Sequence, residues 1–307
     1  MTKPSIPGLH HVTAISGPAQ LNVDFFTGTL KQRLVKKTVN FDAPDTYHLY
    51  YGDRLGSPGS ILTFFPFADA GPGRSGPGMA TGYAYAVPKG GLDAWVAELA
   101  DKAIDFEGPF ERFGARVLVL RDPDGAPVDL VETDHASDQP TIGFHSVTLW
   151  SRNLPATARL LTDVFGYEDR GSETDGGIER LRLVAPGEEK GNIVDLIRSD
   201  APSIGRPGAG TIHHVAFRAR TDAEQVEWQH RLAEVGHRTT QVIDRQYFNA
   251  IYFREPGGVL FEIATDPPGF AVDEPLDTLG QDLKLPAQYE PIRDRLERVL
   301  PPLKVAS

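Results

Sequence analysis

Two short stretches of the chain place a pair of histidines directly before a valine, His10-His11-Val12 and His213-His214-Val215. Both stretches are predicted to be strands, and successive side chains of a strand point to opposite faces. Only one histidine of each pair can therefore face a given side, and the other is expected to point away. Glu262 lies in a third predicted strand among apolar residues, where an ionised carboxylate is rarely buried without a partner or a metal.

His11, His214 and Glu262 together make a candidate metal site. The chain contains no cysteine, so a metal would be held by imidazole and carboxylate groups. Two imidazoles and one carboxylate on one face of an octahedral ion are typical of non-haem Fe(II) oxygenases, and they leave neighbouring positions for O2 and an organic substrate. The triad by itself does not distinguish Fe(II) from Mn(II). A single strand histidine is more often a core or surface residue, so the repeated context is what favours a metal.

The other histidines are not expected to bind the metal. Those in polar or helical surroundings are predicted to lie at the surface: His48, His135, His230 and His237. His145 lies in a stretch similar to that of the first histidine pair, but the alignment matches it to His10 rather than to His11.

The chain repeats itself, which indicates how these residues are positioned. Four units follow one another near residues 6–66, 80–134, 142–200 and 210–266, and each is predicted to contain a strand, a helix and about three further strands. The sequence therefore predicts an α+β fold in which four βαβββ modules pair into two open, curled-sheet cups. Apolar residues three and four positions apart predict the helices of the units: Ala19–Leu30, Gly91–Lys102, Leu154–Phe165 and Ala223–Val235.

These units predict two domains and a tail. Residues 1–140 and 141–268 would each hold two modules, and residues 269–307 would form a C-terminal tail with one helix, Ala287–Leu300. The segment Asp69–Gly78, which is rich in glycine and proline, is predicted to be a mobile loop.

Alignment of the units also predicts a second, incomplete set of ligand positions. Ser146 is matched to His11, Tyr83 to His214 and Glu132 to Glu262. The second set lacks both imidazoles. We therefore expect one working cup and one that has lost its site.

The bulk composition excludes several functions. The net charge is −11 and no long basic run occurs, so binding to nucleic acid or to an anionic membrane is not expected. No apolar segment reaches the roughly 18 residues of a transmembrane helix, and the first residues lack the apolar core of a secretory signal. A cytoplasmic enzyme is the resulting expectation.

Several longer motifs resemble a known family. They are Gly8–Thr13, Ile212–Ala216, Asp244–Phe248, Ile251–Pro256 and Leu260–Asp266. Over about residues 5–266 the chain resembles the vicinal-oxygen-chelate superfamily, which has the glyoxalase/bleomycin resistance/dioxygenase fold. Within it, the motifs are similar to ring-cleaving dioxygenases of the hydroquinone 1,2-dioxygenase type, the group that includes 2,6-dichlorohydroquinone dioxygenase.

The resemblance implies roles for further residues. His11, His214 and Glu262 would bind iron, and Tyr252 and Arg245 would be catalytic residues that stabilise charge on oxygen. The remaining contacts to the substrate or the ligands would come from His10, Thr13 and His213. Strand alternation supports Thr13 and does not support the two histidines. Because the first ligand is in the first unit and the others are in the last, these two units should share the working cup.

The implied activity is the opening of a substituted hydroquinone ring with O2, and a homo-oligomer is an open expectation. An extradiol catechol dioxygenase is the alternative on the same scaffold. A glyoxalase-type lyase or isomerase would use a divalent metal without O2. A binding protein of the bleomycin-resistance type would not need the metal ligands at all, so the complete triad counts against it.

Overall fold

The computed structural model describes residues 4–187, 190–199 and 203–305. Residues 1–3 of the first predicted domain, residue 200 at the end of the third predicted unit, and residues 306–307 of the tail lie outside this range. Within the described residues, the order of elements repeats as four βαβββ units, as predicted.

The first and fourth units form one eight-stranded sheet, which we call the first cup. The first unit comprises β1 (Leu9–Ser16), α1 (Ala19–Val23), β2 (Arg33–Asn40), β3 (Ala43–Gly52) and β4 (Ile61–Pro66). The fourth comprises β13 (Thr211–Ala219), α4 (Asp222–Glu234), β14 (Ile243–Asp244), β15 (Phe248–Arg254) and β16 (Leu260–Pro268). The strand order is β14-β15-β16-β13-β1-β4-β3-β2.

The second and third units form the other eight-stranded sheet, the second cup. The second unit comprises β5 (Met79–Val87), α2 (Leu92–Asp101), β6 (Phe106–Arg112), β7 (Ala115–Arg121) and β8 (Pro127–Glu132). The third comprises β9 (Phe144–Trp150), α3 (Leu154–Arg159), β10 (Glu168–Asp175), β11 (Ile178–Val184) and β12 (Ile193–Ser199). The strand order is β10-β11-β12-β9-β5-β8-β7-β6.

The pairing of the units follows the prediction that the first and last units share one cup. Each cup is joined at its centre by an antiparallel pair, β1 with β13 and β5 with β9. Each cup therefore takes one unit from each predicted half of the chain. The division into domains 1–140 and 141–268 stays a prediction.

The main hydrophobic core lies on the side of the sheets that carries the helices. It includes Leu9 and Val12 from the first cup and Phe144 and Val147 from the second. Since these positions alternate with those that face the cup interiors, each strand can pack on one face and present functional groups on the other. α4 begins where Thr221 accepts a hydrogen bond from the backbone of Glu224, a typical N-cap.

The tail follows the outer edge of the first cup. Leu283 bridges Lys37 of β2 in a parallel register, which covers an edge strand whose backbone groups would otherwise lack partners. Its helix α5 (Arg293–Val299) is shorter than predicted. Pro291 lies in a 3₁₀ turn before it, since proline cannot supply the N–H that a helix interior needs.

The predicted loop Asp69–Gly78 is irregular, and it pairs with the segment before β13 through the bridges Pro72–Ala209 and Arg74–Arg206. In the part of the chain that the structure describes, no helix is long and apolar enough to cross a membrane.

Candidate metal centre and active site

Three neighbouring strands of the first cup bring the predicted ligands together. β1 carries His11, β13 carries His214 and β16 carries Glu262. His11 Nε2 lies 3.3 Å from His214 Nε2 and 3.3 Å from Glu262 Oε2. His214 Nε2 lies 2.8 Å from the same carboxylate oxygen. All three residues are buried, so their donor atoms converge on one point inside the protein.

The carboxylate of Glu262 is the feature that most needs a cation. Its side chain is 0% exposed, and its Oε2 faces His214 Nε2 at 2.8 Å and His11 Nε2 at 3.3 Å. Burial alone would raise the pKa of Glu262, yet His11 and His214 hold it well below its usual range, so the group is ionised. A buried, ionised carboxylate facing two imidazole nitrogens fits a divalent metal and is costly without one.

His10 and His213 contact the ligand histidines, against the expectation from strict strand alternation. Each is the extra residue at a register shift between β1 and β13, a β-bulge that turns its side chain toward its neighbour. His10 Nδ1 lies 2.9 Å from His11 Nδ1, and His213 Nδ1 lies 2.7 Å from His214 Nδ1. Each ligand imidazole therefore has its Nε2 toward the triad and its Nδ1 toward a second imidazole.

A cavity of about 470 Å³ opens above the triad. Its walls are largely aromatic, with Phe65, Phe67 and Phe248 among the residues that line it. Such a volume and lining suit a small aromatic molecule. The other lining residues are His11, Ile15, Asn40, Phe41, Asp42, His48, Tyr50, His213, His214, Arg245, Tyr252 and Leu260.

One wall of this cavity carries a chain of side-chain hydrogen bonds. Thr13 Oγ1 lies 2.9 Å from Thr63 Oγ1, and His48 Nε2 lies 2.7 Å from Thr63 Oγ1. Tyr50 OH lies 2.8 Å from His48 Nδ1. The prediction that His48 is a surface residue is therefore wrong. The aromatic residues on both faces of β3, with Tyr50 two positions after His48, are the sequence signal that both faces are covered.

The opposite wall carries Tyr252 and Arg245. Tyr252 is paired directly with Glu262 across the β15–β16 ladder. Arg245 Nε donates to Tyr252 OH at 3.2 Å, and Arg245 Nη1 lies 3.4 Å from Asp42 Oδ2. Burial, with the nearby Glu262 carboxylate, raises the pKa of Tyr252 well above its usual value, so its hydroxyl keeps its proton. The wall therefore presents a guanidinium and a neutral phenol.

Relatives with the same organisation span nearly the whole chain. "Putative ring-cleaving dioxygenase MhqO" of Bacillus subtilis (strain 168) is 44% identical over 309 residues, which cover 97% of this chain and 97% of that protein. The chlorohydroquinone/hydroquinone 1,2-dioxygenase of Sphingobium indicum is 34% identical and covers 96% of each. Residues 143–263 match the model of the glyoxalase/bleomycin resistance protein/dioxygenase superfamily. This chain belongs to that superfamily.

Solved structures agree with this membership. The crystal structure of a "putative dioxygenase" from Bacillus subtilis subsp. subtilis str. 168 matches with a TM-score of 0.93 and 43% identity, covering 99% of this chain and 100% of that one. Glyoxalase I from Zea mays matches with a TM-score of 0.64 at 13% identity, covering 84% and 92%, which speaks for the fold alone. The predicted fold and the resemblance to ring-cleaving dioxygenases are confirmed, and membership implies a divalent metal.

The second cup of this superfamily member has different residues at the ligand positions from those predicted. Its strand registers match Ser146 to His11, as expected, but Gly82 to His214 and Asp129 to Glu262. Tyr83 and Glu132 do not take these positions. The prediction matched a glutamate to a glutamate. Asp129 and Glu262 each lie eight residues after the arginine that precedes the turn, Arg121 and Arg254, and the strand pairing gives the same match.

Arginines face the carboxylates of that second cup. Arg112 pairs with Asp129. Arg182 Nε and Nη2 both donate to Asp195 at 2.9 Å, and Arg180 Nη1 donates to Thr148 Oγ1 at 3.0 Å. The buried carboxylates are thus neutralised by guanidinium groups. The second cup keeps the geometry of the first without the chemistry of its triad.

Proposed function

We propose that the chain opens the aromatic ring of a hydroquinone with O2 in the cavity of the first cup. His11, His214 and Glu262 would hold Fe(II) there. The observation that carries the proposal is the fully buried Glu262 carboxylate, whose Oε2 lies 2.8 Å and 3.3 Å from the two imidazole nitrogens that converge on the same point. The hydroquinone substrate is supported by the relative named as a chlorohydroquinone/hydroquinone 1,2-dioxygenase, which matches over 96% of this chain.

The donor set suits Fe(II), and Mn(II) remains the second candidate. When bound, the metal would offer adjacent positions to O2 and to a substrate oxygen and would carry electron density between them. The protein's part is to keep Glu262 ionised and to keep the imidazole of His214 neutral. Burial lowers the pKa of His214, which favours the neutral ring that a metal requires.

His10 and His213 would orient the ligand rings. A metal held by Nε2 leaves the proton of a neutral imidazole on Nδ1, and that Nδ1–H can donate to Nδ1 of the preceding histidine. Such outer hydrogen bonds fix both the tautomer and the ring plane of a metal ligand. His11 and His214 would thereby be held in the geometry that the metal needs.

Tyr252 and Arg245 would act on the substrate. The protonated Tyr252 hydroxyl can donate to a phenolate or to a developing oxygen anion, and Arg245 supplies a fixed positive charge beside it. Fixed donors in a buried site are strong because they need no reorganisation as charge develops. Thr13, joined to His48 through Thr63, would supply polar contacts on the other wall.

Oxygen uptake by the Fe(II)-loaded chain tests the proposal. Hydroquinone, catechol and the adduct of methylglyoxal with glutathione are offered separately, and uptake is recorded with an electrode. We expect uptake with hydroquinone and formation of a ring-opened acid. Uptake with catechol alone would favour the extradiol alternative, and isomerisation of the adduct without uptake would favour a glyoxalase. Parallel loading with Mn(II) separates the two metals. Cytoplasmic location and homo-oligomer formation stay predictions.

A further inference from the structure

The internal repeat relates Arg245 of the first cup to Arg112 of the second. Ile243 is paired with Ala250, and in the second cup Phe110 is paired with Val117 in the same part of the ladder. Arg245 comes two residues after Ile243, and Arg112 comes two residues after Phe110. Each arginine is followed by a non-glycine residue with a positive φ, 67° at Gln246 and 48° at Phe113. The two turns are therefore equivalent in conformation as well as in register.

The two arginines have different partners. In the second cup Arg112 forms an ion pair with Asp129, the residue in the register position of Glu262. In the first cup Arg245 instead donates to Tyr252 OH. The second cup thus shows that an arginine at this position can reach the carboxylate and neutralise it. An Arg245–Glu262 ion pair would neutralise the carboxylate that the metal needs as a ligand.

The contacts of the Arg245 guanidinium are individually weak, and they include the Tyr252 ring, whose centroid lies 5.4 Å away. Its ion pair with Asp42 spans 3.4 Å, and the Asp42 side chain is 79% exposed. Exposed pairs of this kind contribute little. The hydrogen bond to Tyr252 at 3.2 Å is long for a charged donor. A further restraint must act on the turn that carries Arg245.

The C-terminal tail supplies that restraint through Asp273. Its Oδ2 accepts hydrogen bonds from Gln246 Nε2 at 2.8 Å and from Tyr247 OH at 3.0 Å. Its Oδ1 accepts from Lys36 Nζ at 2.7 Å, and Lys36 is fully buried. The two residues after Arg245 are thus tied to one carboxylate that is itself anchored on β2. In the second cup the equivalent turn is held differently, because Glu173 accepts a hydrogen bond from the backbone N–H of Phe113.

We propose that Asp273 is a positioning residue that holds Arg245 over the cavity and away from the Glu262 carboxylate. This inference rests on the proposed function, in which Glu262 binds the metal and Arg245 faces the substrate. The tail is accordingly a part of the active site that lies outside the four repeated units. Loss of Asp273 would release Gln246 and Tyr247 and let Arg245 turn toward Glu262, as Arg112 has turned toward Asp129.

The test is an anaerobic titration of the metal-stripped full chain with Fe(II). For Asp273→Asn we expect the dissociation constant for Fe(II) to rise at least about tenfold, because the Arg245 guanidinium would then compete with the metal for the Glu262 carboxylate. Asp277→Asn, an exposed carboxylate in the same tail, should bind Fe(II) like the wild type. Glu274→Gln also removes a partner of Lys36 but leaves the contacts to Gln246 and Tyr247, so it should lower the melting temperature without changing the metal affinity.

A double-mutant cycle separates positioning from a general loss of structure. In an Arg245→Ala background, Asp273→Asn should no longer weaken metal binding, because the competing guanidinium is absent. With the Fe(II)-loaded enzyme, Asp273→Asn should lower kcat more than it raises KM, because Arg245 would no longer face the charge that develops during the reaction. Since the titration needs no substrate, it decides the proposal even if hydroquinone turns out not to be the substrate.

Two results would overturn the proposal. Wild-type affinity for Fe(II) in Asp273→Asn is one, and an equally large effect of Asp273→Asn with and without Arg245 is the other. If Asp273→Asn does not fold, the pair Gln246→Leu with Tyr247→Phe removes the two donors and keeps the Lys36–Asp273 ion pair. That variant must then show the same weakened metal binding, and wild-type binding in it would reject the idea.

Discussion

Tyr252 and Glu262 face each other as a directly paired couple across the antiparallel strands β15 and β16. One hairpin therefore supplies both the carboxylate of the candidate metal site and a phenol beside it. The pairing follows from the odd number of residues between them, which puts both side chains on the same face of the hairpin. A substrate oxygen bound near the metal would therefore lie close to the Tyr252 hydroxyl.

The first prediction concerns that hydroxyl. Tyr252→Phe keeps the packing volume and removes only the donor, so kcat/KM for hydroquinone should fall about a hundredfold, or about 3 kcal/mol of barrier. Bound iron should stay at the wild-type level, because Tyr252 is not a ligand. Steady-state kinetics with metal analysis measure both. Tyr85→Phe, which removes a buried hydroxyl without a hydrogen-bond partner in the second cup, is the control and should be near wild type. Unchanged kinetics in Tyr252→Phe would remove this residue from the site.

The second prediction concerns the histidines that contact the ligands. His10→Asn should weaken Fe(II) binding about 10- to 100-fold, since it removes the imidazole that orients His11. The fold should persist because the triad remains complete. His145→Asn changes the matching bulge position in the second cup and should leave Fe(II) binding as it is. Equal affinities of the two variants, measured by anaerobic titration, would contradict the orienting role.

The third prediction concerns the second cup. Asp129→Asn should leave iron content and turnover unchanged, because that cup has no imidazole ligands at its triad positions. It should lower the free energy of unfolding, since Arg112 loses the partner of a largely buried charge. Urea unfolding and metal analysis test the two halves separately. Loss of iron with the fold intact would mean that the metal lies in the second cup instead.

The fourth prediction concerns pH and Asp122, a buried residue in the β7–β8 turn. Burial is the main cause that raises the pKa of Asp122 from 3.8 to about 6. The folded-state pKa of Asp122 lies above the unfolded-state pKa. The stability that the protonated Asp122 carboxyl contributes is therefore complete below about pH 4 and is lost as pH rises through about 6. Asp122→Asn keeps the acceptor for the backbone of Asp124 and Ala126 and carries no charge.

At pH 7.5 Asp122→Asn should therefore be more stable than the wild type, by up to about 3 kcal/mol. The difference should shrink toward pH 4, where the wild-type carboxyl is protonated. Urea unfolding across this range is the measurement, with the exposed Asp134→Asn as control. Parallel pH profiles for wild type and Asp122→Asn would show that Asp122 does not titrate in this way.

The repeat in the sequence was enough to predict the four units, and the positions of the candidate ligands in the first and last units predicted which units share a cup. Periodicity and turn motifs are local signals, and His-His-Val occurs twice because two equivalent strands need it. The two bulges could not be predicted, and they are what bring His10 and His213 to the ligand side. A bulge depends on the partner strand across the sheet, which is distant in sequence.

The same reason explains the positions that were misplaced. Matching by residue type chose Tyr83 and Glu132, whereas strand register identifies Gly82 and Asp129. The sequence did carry a signal for Asp129, since Asp129 and Glu262 are equally far from Arg121 and Arg254 in two similar turns. His48 becomes a cavity residue because the tail and the fourth unit enclose β3, a long-range effect of folding. Asp273 carried no motif at all. Its contacts to Gln246 and Tyr247 exist only once the tail has packed on the first cup.

The most direct test is the iron content and hydroquinone-dependent O2 uptake of anaerobically purified wild type and Glu262→Gln, measured on the same samples. Glu255→Gln, a buried glutamate in the turn before β16, is the matched control. We predict one iron per chain and O2 uptake in the wild type and the control, and neither in Glu262→Gln. Retention of both tightly bound iron and hydroquinone-dependent uptake in Glu262→Gln would contradict the account.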